Sequence, residues 1–318
     1  MISEEDITFH SGTIQLAGTL ALPDLQSEVP GVVLVPGSGQ VDRNENAKKL
    51  PINAFKEIAT HLANQGIATL RYDKRGVGAS EGNFWATGIY DNVADATAAI
   101  HYLRSHENIR ADQVFVLGHS EGAVIATRLA ATDHELAGAI LLAGTAQSGE
   151  NVLLWQSKQV TDGIRGFSGF LIHALHIDVQ KAQRKQLDKI KKTKRDWVRV
   201  QLIAKINAKW LREFIAYNPA DDMPKIRIPV IAITGSKDIQ VDPLDLTKMA
   251  ALIKSDFESH KIKDLTHILR IDPGEPNIRT YPKLVQSPVD LQVLNIITNW
   301  LERHTFRLSP IPAMKEVA

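Results

Sequence analysis

The chain has 318 residues, 44% of them hydrophobic and 23% charged, with a formal net charge of +1. That is enough apolar material for a large core, and too even a charge balance for bulk attraction to nucleic acid or to an acidic membrane surface. It contains no cysteine, which excludes disulfides, thiol catalysis and cysteine-bound metals.

The acidic start Met1-Ile2-Ser3-Glu4-Glu5-Asp6 lacks the basic and apolar regions of a secretory signal. No apolar run approaches the roughly 20 residues that cross a bilayer. A cytoplasmic protein is therefore expected. Residues 7–10 and 13–22 alternate apolar with polar around Ser11-Gly12 and predict an antiparallel hairpin at a sheet edge. Residues 31–36 predict a buried strand running into Gly37-Ser38-Gly39. Glycines directly after a strand let backbone N–H groups face a ligand. No Gly-Lys-Ser/Thr follows, which disfavours a phosphate loop. A helix is predicted over 51–65, with Phe55, Ile58 and Leu62 on one face and Gly66 at its end. A strand follows over 67–72. After it, Asp73 and Arg75 read as a structural ion pair holding a turn that Gly76 and Gly78 free. Residues 90–105 predict an amphipathic helix.

Val114, Phe115, Val116 and Leu117 then form an apolar strand, followed by Gly118-His119-Ser120-Glu121-Gly122 and a small-residue helix over 123–131. Residues 137–143 predict another buried strand. Up to this point strands and helices alternate, the pattern of an α/β fold with a mostly parallel sheet covered on both faces. The alternation stops from 147 to 222. Helices are predicted there over 151–160, 179–192 and 196–217, with no convincing strand, so 147–222 reads as a helical insertion between two parts of one core, 1–146 and 223–318. The basic run 181–195 reads as a solvated face. His173 and His176 stand three apart with no carboxylates beside them, which argues against a metal site. Strand character resumes over 228–234 and 257–263, with a helix opened by Asp242-Pro243 between them. A proline-punctuated loop over 271–288, a closing helix over 289–301 and a loose tail from 305 complete the chain.

The Gly-x-Ser-x-Gly pentapeptide gains its meaning from its place between strand and helix. A serine hydroxyl is a weak nucleophile until a base takes its proton, so it must stand clear of the sheet. Glycines on either side let strand and helix pass closely. The base needs an orienting carboxylate, and on a parallel sheet all three groups sit beyond strand C-terminal ends. Asp238 and His267 each follow such a strand, so Ser120, Asp238 and His267 are the candidate catalytic residues. Asp242, Asp245 and Asp264 are nearby competitors for the carboxylate. Among the other histidines, His119 is too close in sequence to serve Ser120, and His260 lies inside a strand. The backbone N–H groups of Ser38 and Glu121 are the candidate oxyanion donors. Trp155 and Trp210, in the insertion, offer apolar surface for substrate; the plainer reading is that they attach the insertion to the sheet.

With Pro36 to Asn44, Arg71 to Ser80, Gly118 to Gly122, Gly235 to Val241 and Thr266-His267 in hand, the chain resembles the α/β-hydrolase family, in its branch of bacterial esterases and acyl hydrolases that are serine-aminopeptidase-like or dienelactone-hydrolase-like. Pro36 departs from the histidine that many relatives carry there, which leaves the backbone N–H groups in place. The resemblance implies an α/β-hydrolase fold with a helical cap at 147–222. It also implies a serine hydrolase that cleaves small-molecule carboxylic esters or thioesters through an acyl-enzyme on Ser120, with no cofactor and no metal. An aminopeptidase or amidase, or an acyltransferase, would use the same three residues. A peptidase would need an acidic anchor for the α-amino group, and the insertion's carboxylates are scattered before Asp221-Asp222. A catalytically idle ligand receptor or scaffold is the alternative of another class.

Overall fold

The computed structural model describes residues 2–24, 27–162, 179–200 and 204–306. In chain order the elements are β1 (Ser3–Ser11), β2 (Ile14–Leu22), β3 (Val29–Val35), α1 (Ala54–Asn64), β4 (Ala68–Tyr72), α2 (Ile89–Arg104), β5 (Ile109–His119), α3 (Glu121–Thr132) and β6 (Gly138–Leu142). They continue with α4 (Gly149–Asp162), α5 (Val179–Lys192), β7 (Trp197–Val200), β8 (Ala204–Asn207), α6 (Ala208–Ala216), β9 (Val230–Gly235), α7 (Asp245–Leu252), β10 (Phe257–Ile262), α8 (Tyr281–Leu284) and α9 (Leu291–Phe306).

The main sheet has eight strands in the order β1-β2-β4-β3-β5-β6-β9-β10. The first two form an antiparallel hairpin, and β2 also pairs antiparallel with β4. Every later pairing is parallel. Side chains alternate between the two faces. Val33, Val35, Val114, Val116, Leu141 and Ala232 pack beneath α2, α3 and α7, while Val32, Leu34, Phe115, Leu117, Ile140 and Ile233 pack beneath α1 and α9. Burial on both faces is why these strands read as continuous apolar runs rather than as alternating ones. The parallel strands all run one way, so the segments after β3, β4, β5, β6, β9 and β10 gather along one edge of the sheet. In such sheets that edge forms the ligand-binding crevice. No helix among the described residues is long and apolar enough to cross a membrane.

Two expectations about the secondary structure are corrected. Residues 196–217 are not one helix: β7 and β8 form an antiparallel hairpin, and α6 begins only at Ala208. Trp197, Val198 and Val200 are aromatic and β-branched and favour extended backbone. The helix then starts where the side chain of Asn207 accepts the N–H of Trp210 at 2.9 Å, an N-cap. The proline-rich stretch after Ile271 is not wholly loop. It contains a turn of 3-10 helix at Ile278–Thr280 running into α8, with Pro282 in the first turn, where its missing N–H is harmless. His173 and His176, and the tail beyond residue 306, lie outside the described residues.

The elements between β6 and β9 are tied by polar contacts to α2, the segment before it and the segment after β9. Asn207 Nδ2 donates to the carbonyls of Phe84 and Thr87 at 2.6 and 2.7 Å. Lys209 Nζ meets Asp91 at 2.6 Å, and Glu213 accepts the N–H of Tyr90 at 3.2 Å. Gln156 of α4 donates to the carbonyl of Gln240, in the segment after β9, at 2.7 Å.

Candidate active site

Ser120 sits between β5 and α3 with φ 56 and ψ −116, a conformation costly for any residue with a Cβ. Its two glycine neighbours make the turn possible. A Cβ on Gly118 would lie 2.0 Å from the carbonyl oxygen of Gly122, and one on Gly122 would lie 1.9 Å from that of Val35. Both obstacles are backbone, so nothing larger than glycine fits. The Ser120 N–H donates to Leu142 O at 2.9 Å, and the Ser120 carbonyl accepts the N–H groups of Ala123 and Val124, which starts α3. The hydroxyl-bearing residue is thus held clear of the sheet by a network of backbone bonds.

Asp238 follows β9 and His267 follows β10; both are buried. His267 Nδ1 lies 2.8 Å from Asp238 Oδ2. The other oxygen, Oδ1, accepts the N–H groups of Gln240 and Val241 at 2.8 and 2.9 Å. A carboxylate held this way orients an imidazole and keeps its Nε2 available as a base. Ser120 and His267 share the wall of a cavity of about 190 Å³ with Gly37, Ser38, Val41, Glu45, Leu50, Ile52 and Tyr281. Neither the Ser38 N–H nor the Glu121 N–H donates to a protein acceptor among the described residues, so both remain available to an anion. The groups gathered here are of the kinds acyl transfer uses: a candidate nucleophile, an imidazole held by a carboxylate, and two backbone N–H groups without a protein acceptor among the described residues.

The competing carboxylates have other work. Asp242 accepts the N–H of Leu244. The buried Asp245 accepts Thr145 Oγ1 at 2.6 Å, the N–H of Ala146 and Gln147 Nε2, and pairs with Lys248, so it secures the segment after β6. Asp264 pairs with Lys237 at 3.1 Å. His260 pairs with Glu258. Trp155 and Trp210 do not line the cavity; Trp210 stacks on Phe214 at 4.9 Å, within α6 itself.

The expected ion pair between Asp73 and Arg75 does not form. Asp73 binds Arg43 through both its backbone N–H and its guanidinium, each at 2.8 Å, while Arg75 grips Asp95 of α2 at 2.6 to 2.8 Å. Each side chain found a closer partner from another element, which no local pattern announces. The turn itself needs glycine: at Gly78, φ 56, a Cβ would lie 2.3 Å from Asp73 Oδ2.

Four residues around the site were not legible as such. His119 Nδ1 lies 2.8 Å from Glu45 Oε2, and its Nε2 lies 2.9 Å from the carbonyl of His267. Burial opposes charge on His119, but the Glu45 carboxylate more than offsets it and raises the imidazole above its ordinary value. Glu45 Oε1 also accepts the N–H of Gly37 at 2.9 Å. Burial, and then the charge of Asp238, push the Tyr281 phenol upward, so it stays neutral. Arg270 is fully buried and binds the carbonyls of Ile52, Ile268 and Ser287 together with Glu57, fixing the segment that carries His267. The only hints in the sequence were a histidine beside the nucleophile and a charged residue inside the loop after β10.

Comparison with known proteins follows the same outline. Residues 51–274 match the family described as serine aminopeptidase, S33. Esterase EstD of Thermotoga maritima is 28% identical over 301 residues, covering 94% of this chain and 67% of the relative. Among solved structures, the α/β hydrolase GrgF from Penicillium sp. sh18 superposes with a TM-score of 0.61 at 19% identity, covering 96% of this chain and 99% of that one. Est1E from Butyrivibrio proteoclasticus, solved with ferulic acid bound, superposes with a TM-score of 0.63 at 17% identity, covering 95% and 98%. At these identities the two structures speak to the fold alone.

Proposed function

We propose, from the premise that this chain belongs to the serine aminopeptidase S33 family of α/β-hydrolases, that it is a serine hydrolase of small carboxylic esters. Ser120 attacks the acyl carbon while His267 Nε2 takes the hydroxyl proton. Asp238 holds His267 in the needed tautomer and stabilises the imidazolium. The Ser38 and Glu121 N–H groups receive the oxyanion. His267 then protonates the leaving alcohol. Water, deprotonated by the same imidazole, releases the acid and restores Ser120. Thioesters would follow the same steps. No step calls for a metal or a cofactor.

The observation that carries this reading is the bond of His267 to Asp238 at the wall of a cavity that Ser120 also lines. The similarity to an esterase along most of the chain favours ester over peptide substrates.

The acyl group is read into this cavity. Its volume of about 190 Å³ suits a short acyl group better than a long one. We read residues 147–222 as a cap docked through Asn207, Lys209 and Glu213, and Trp210 as part of the apolar packing that joins it to the core beside Ile89 and Val124 rather than of the acyl pocket.

The test is fluorophosphonate labelling with mass-spectrometric mapping, then turnover of p-nitrophenyl esters from acetyl to palmitoyl. An adduct on Ser120 and an optimum at short chains are expected. An adduct without ester turnover would move the activity to amides or acyl transfer. No adduct at all would make the scaffold reading the right one.

A further inference from the structure

The cation after β4 is more deeply placed than anything the three reacting residues require. Lys74 is buried, and its ammonium donates to the carbonyl of Gly37 at 3.0 Å and to both carboxylate oxygens of Glu121 at 3.2 and 3.3 Å. Asn92 of α2 adds a bond to Glu121 Oε1 at 2.7 Å. The Glu121 side chain is therefore held by Lys74 and Asn92. One ammonium thus joins the two segments whose N–H groups would receive the oxyanion.

We propose that Lys74 is the positioning residue of the oxyanion hole. The inference rests on the hydrolase reading above. The geometric reason lies in the Gly37–Ser38 peptide. A trans peptide is planar, and its C=O and N–H point in opposite directions. A cation fixed on the Gly37 carbonyl turns the Ser38 N–H away from Lys74, toward the cavity that Ser38 and Ser120 both line. The N–H of Gly37 is held in turn by Glu45, so residue 37 is pinned on both sides. The loop also lies close to the nucleophile: a Cβ on Gly37 would lie 3.5 Å from that of Ser120. The second donor, the Glu121 N–H, belongs to the residue whose carboxylate Lys74 grips. Lys74 therefore sets the spacing between the two donors. A cation on the carbonyl also polarises the peptide and makes its N–H a stronger donor.

The experiment uses the full chain and three variants: Lys74→Met, Lys74→Arg, and Lys74→Met combined with Glu121→Gln, which removes both buried charges together and keeps the test open if the single variant fails to fold. Each is assayed on p-nitrophenyl butyrate. Each is also titrated with a short-chain trifluoromethyl ketone, whose adduct with the serine carries an oxyanion, and with the matching amide as a ground-state competitor. Loss of donor placement predicts a fall in kcat of about 10- to 100-fold with KM within about 3-fold, a parallel weakening of the ketone and unchanged binding of the amide. Lys74→Arg should recover part of the loss. A purely structural role would lower the active fraction and leave ketone affinity per active molecule unchanged. That result, or kcat and ketone affinity within about 3-fold of wild type, would overturn the inference while leaving the hydrolase reading intact. Wild-type protein with neither ester turnover nor a Ser120 adduct would overturn both.

Discussion

Glu45 and His119 form a buried carboxylate–imidazole pair beside the candidate nucleophile, with Nδ1 2.8 Å from Oε2. The pair makes stability depend on pH. The folded His119 has its pKa raised above the ordinary value of 6.5. A group raised on folding contributes stability that is fully present below its unfolded pKa and is lost as pH rises through the folded one. Glu45→Gln keeps the shape and removes the charge. The difference in Tm between wild type and Glu45→Gln should be largest below about pH 6.5 and should narrow steadily toward pH 9. A difference that stays constant over that range would mean that His119 is neutral throughout.

The reacting residues give a kinetic prediction. Ser120→Ala should lower kcat by roughly 10³-fold or more. Asp238→Asn, which exchanges the acceptor of the His267 Nδ1 proton for an amide, should cost a similar ~10³-fold or more with little change in KM. Full ester turnover by Ser120→Ala would rule out the proposed nucleophile.

Two glycine substitutions separate stability from placement of the nucleophile. Gly122→Ala forces a Cβ to 1.9 Å from the Val35 carbonyl oxygen, whereas Gly12→Ala, in the β1–β2 turn at φ 60, meets nothing within 4 Å. Gly12→Ala should destabilise by about 1–2 kcal/mol, through a left-handed backbone that resists a side chain, and Gly122→Ala by more, through a backbone clash that something must shift to relieve. Urea midpoints measure that cost. Activity should then diverge: Gly122→Ala shifts the serine and should lose ~10²-fold in kcat, and Gly12→Ala should keep wild-type turnover in the folded state. Equal activity in both would mean that the turn at Ser120 tolerates displacement.

Acyl preference should follow the cavity wall. Ile52→Phe fills space and Tyr281→Ala opens it. The ratio of kcat/KM for acetyl over hexanoyl ester should rise in the first and fall in the second, each by ~10-fold or more, since one methylene in an apolar pocket is worth about 1–3 kcal/mol. Trp210→Phe should leave the ratio unmoved. A ratio that followed Trp210 instead would place the acyl pocket against α6.

Much of this architecture was written locally. The apolar strands, the helices between them and the Gly-x-Ser-x-Gly turn were readable because burial on two faces and a steric limit to glycine leave a signature within a few residues of chain. The positions of Ser120, Asp238 and His267 after β5, β9 and β10 were readable for the same reason: each follows its own strand end, and parallel strands bring their ends to one edge. The hairpin of β7 and β8 was missed because its aromatic and β-branched run is short and passes straight into a helix.

The tertiary structure decided the pairing of charges. Asp73 with Arg43, Arg75 with Asp95, Glu45 with His119 and Lys74 with Glu121 all join residues far apart in the chain. A charged side chain buries only where a partner from another element meets it, and that meeting depends on the packing of the whole chain. Residue order alone determined the strands of the main sheet and the turn that carries Ser120. Three-dimensional packing determined which buried ions hold the candidate site in shape, because an ion pair follows distance in space and leaves no period in sequence.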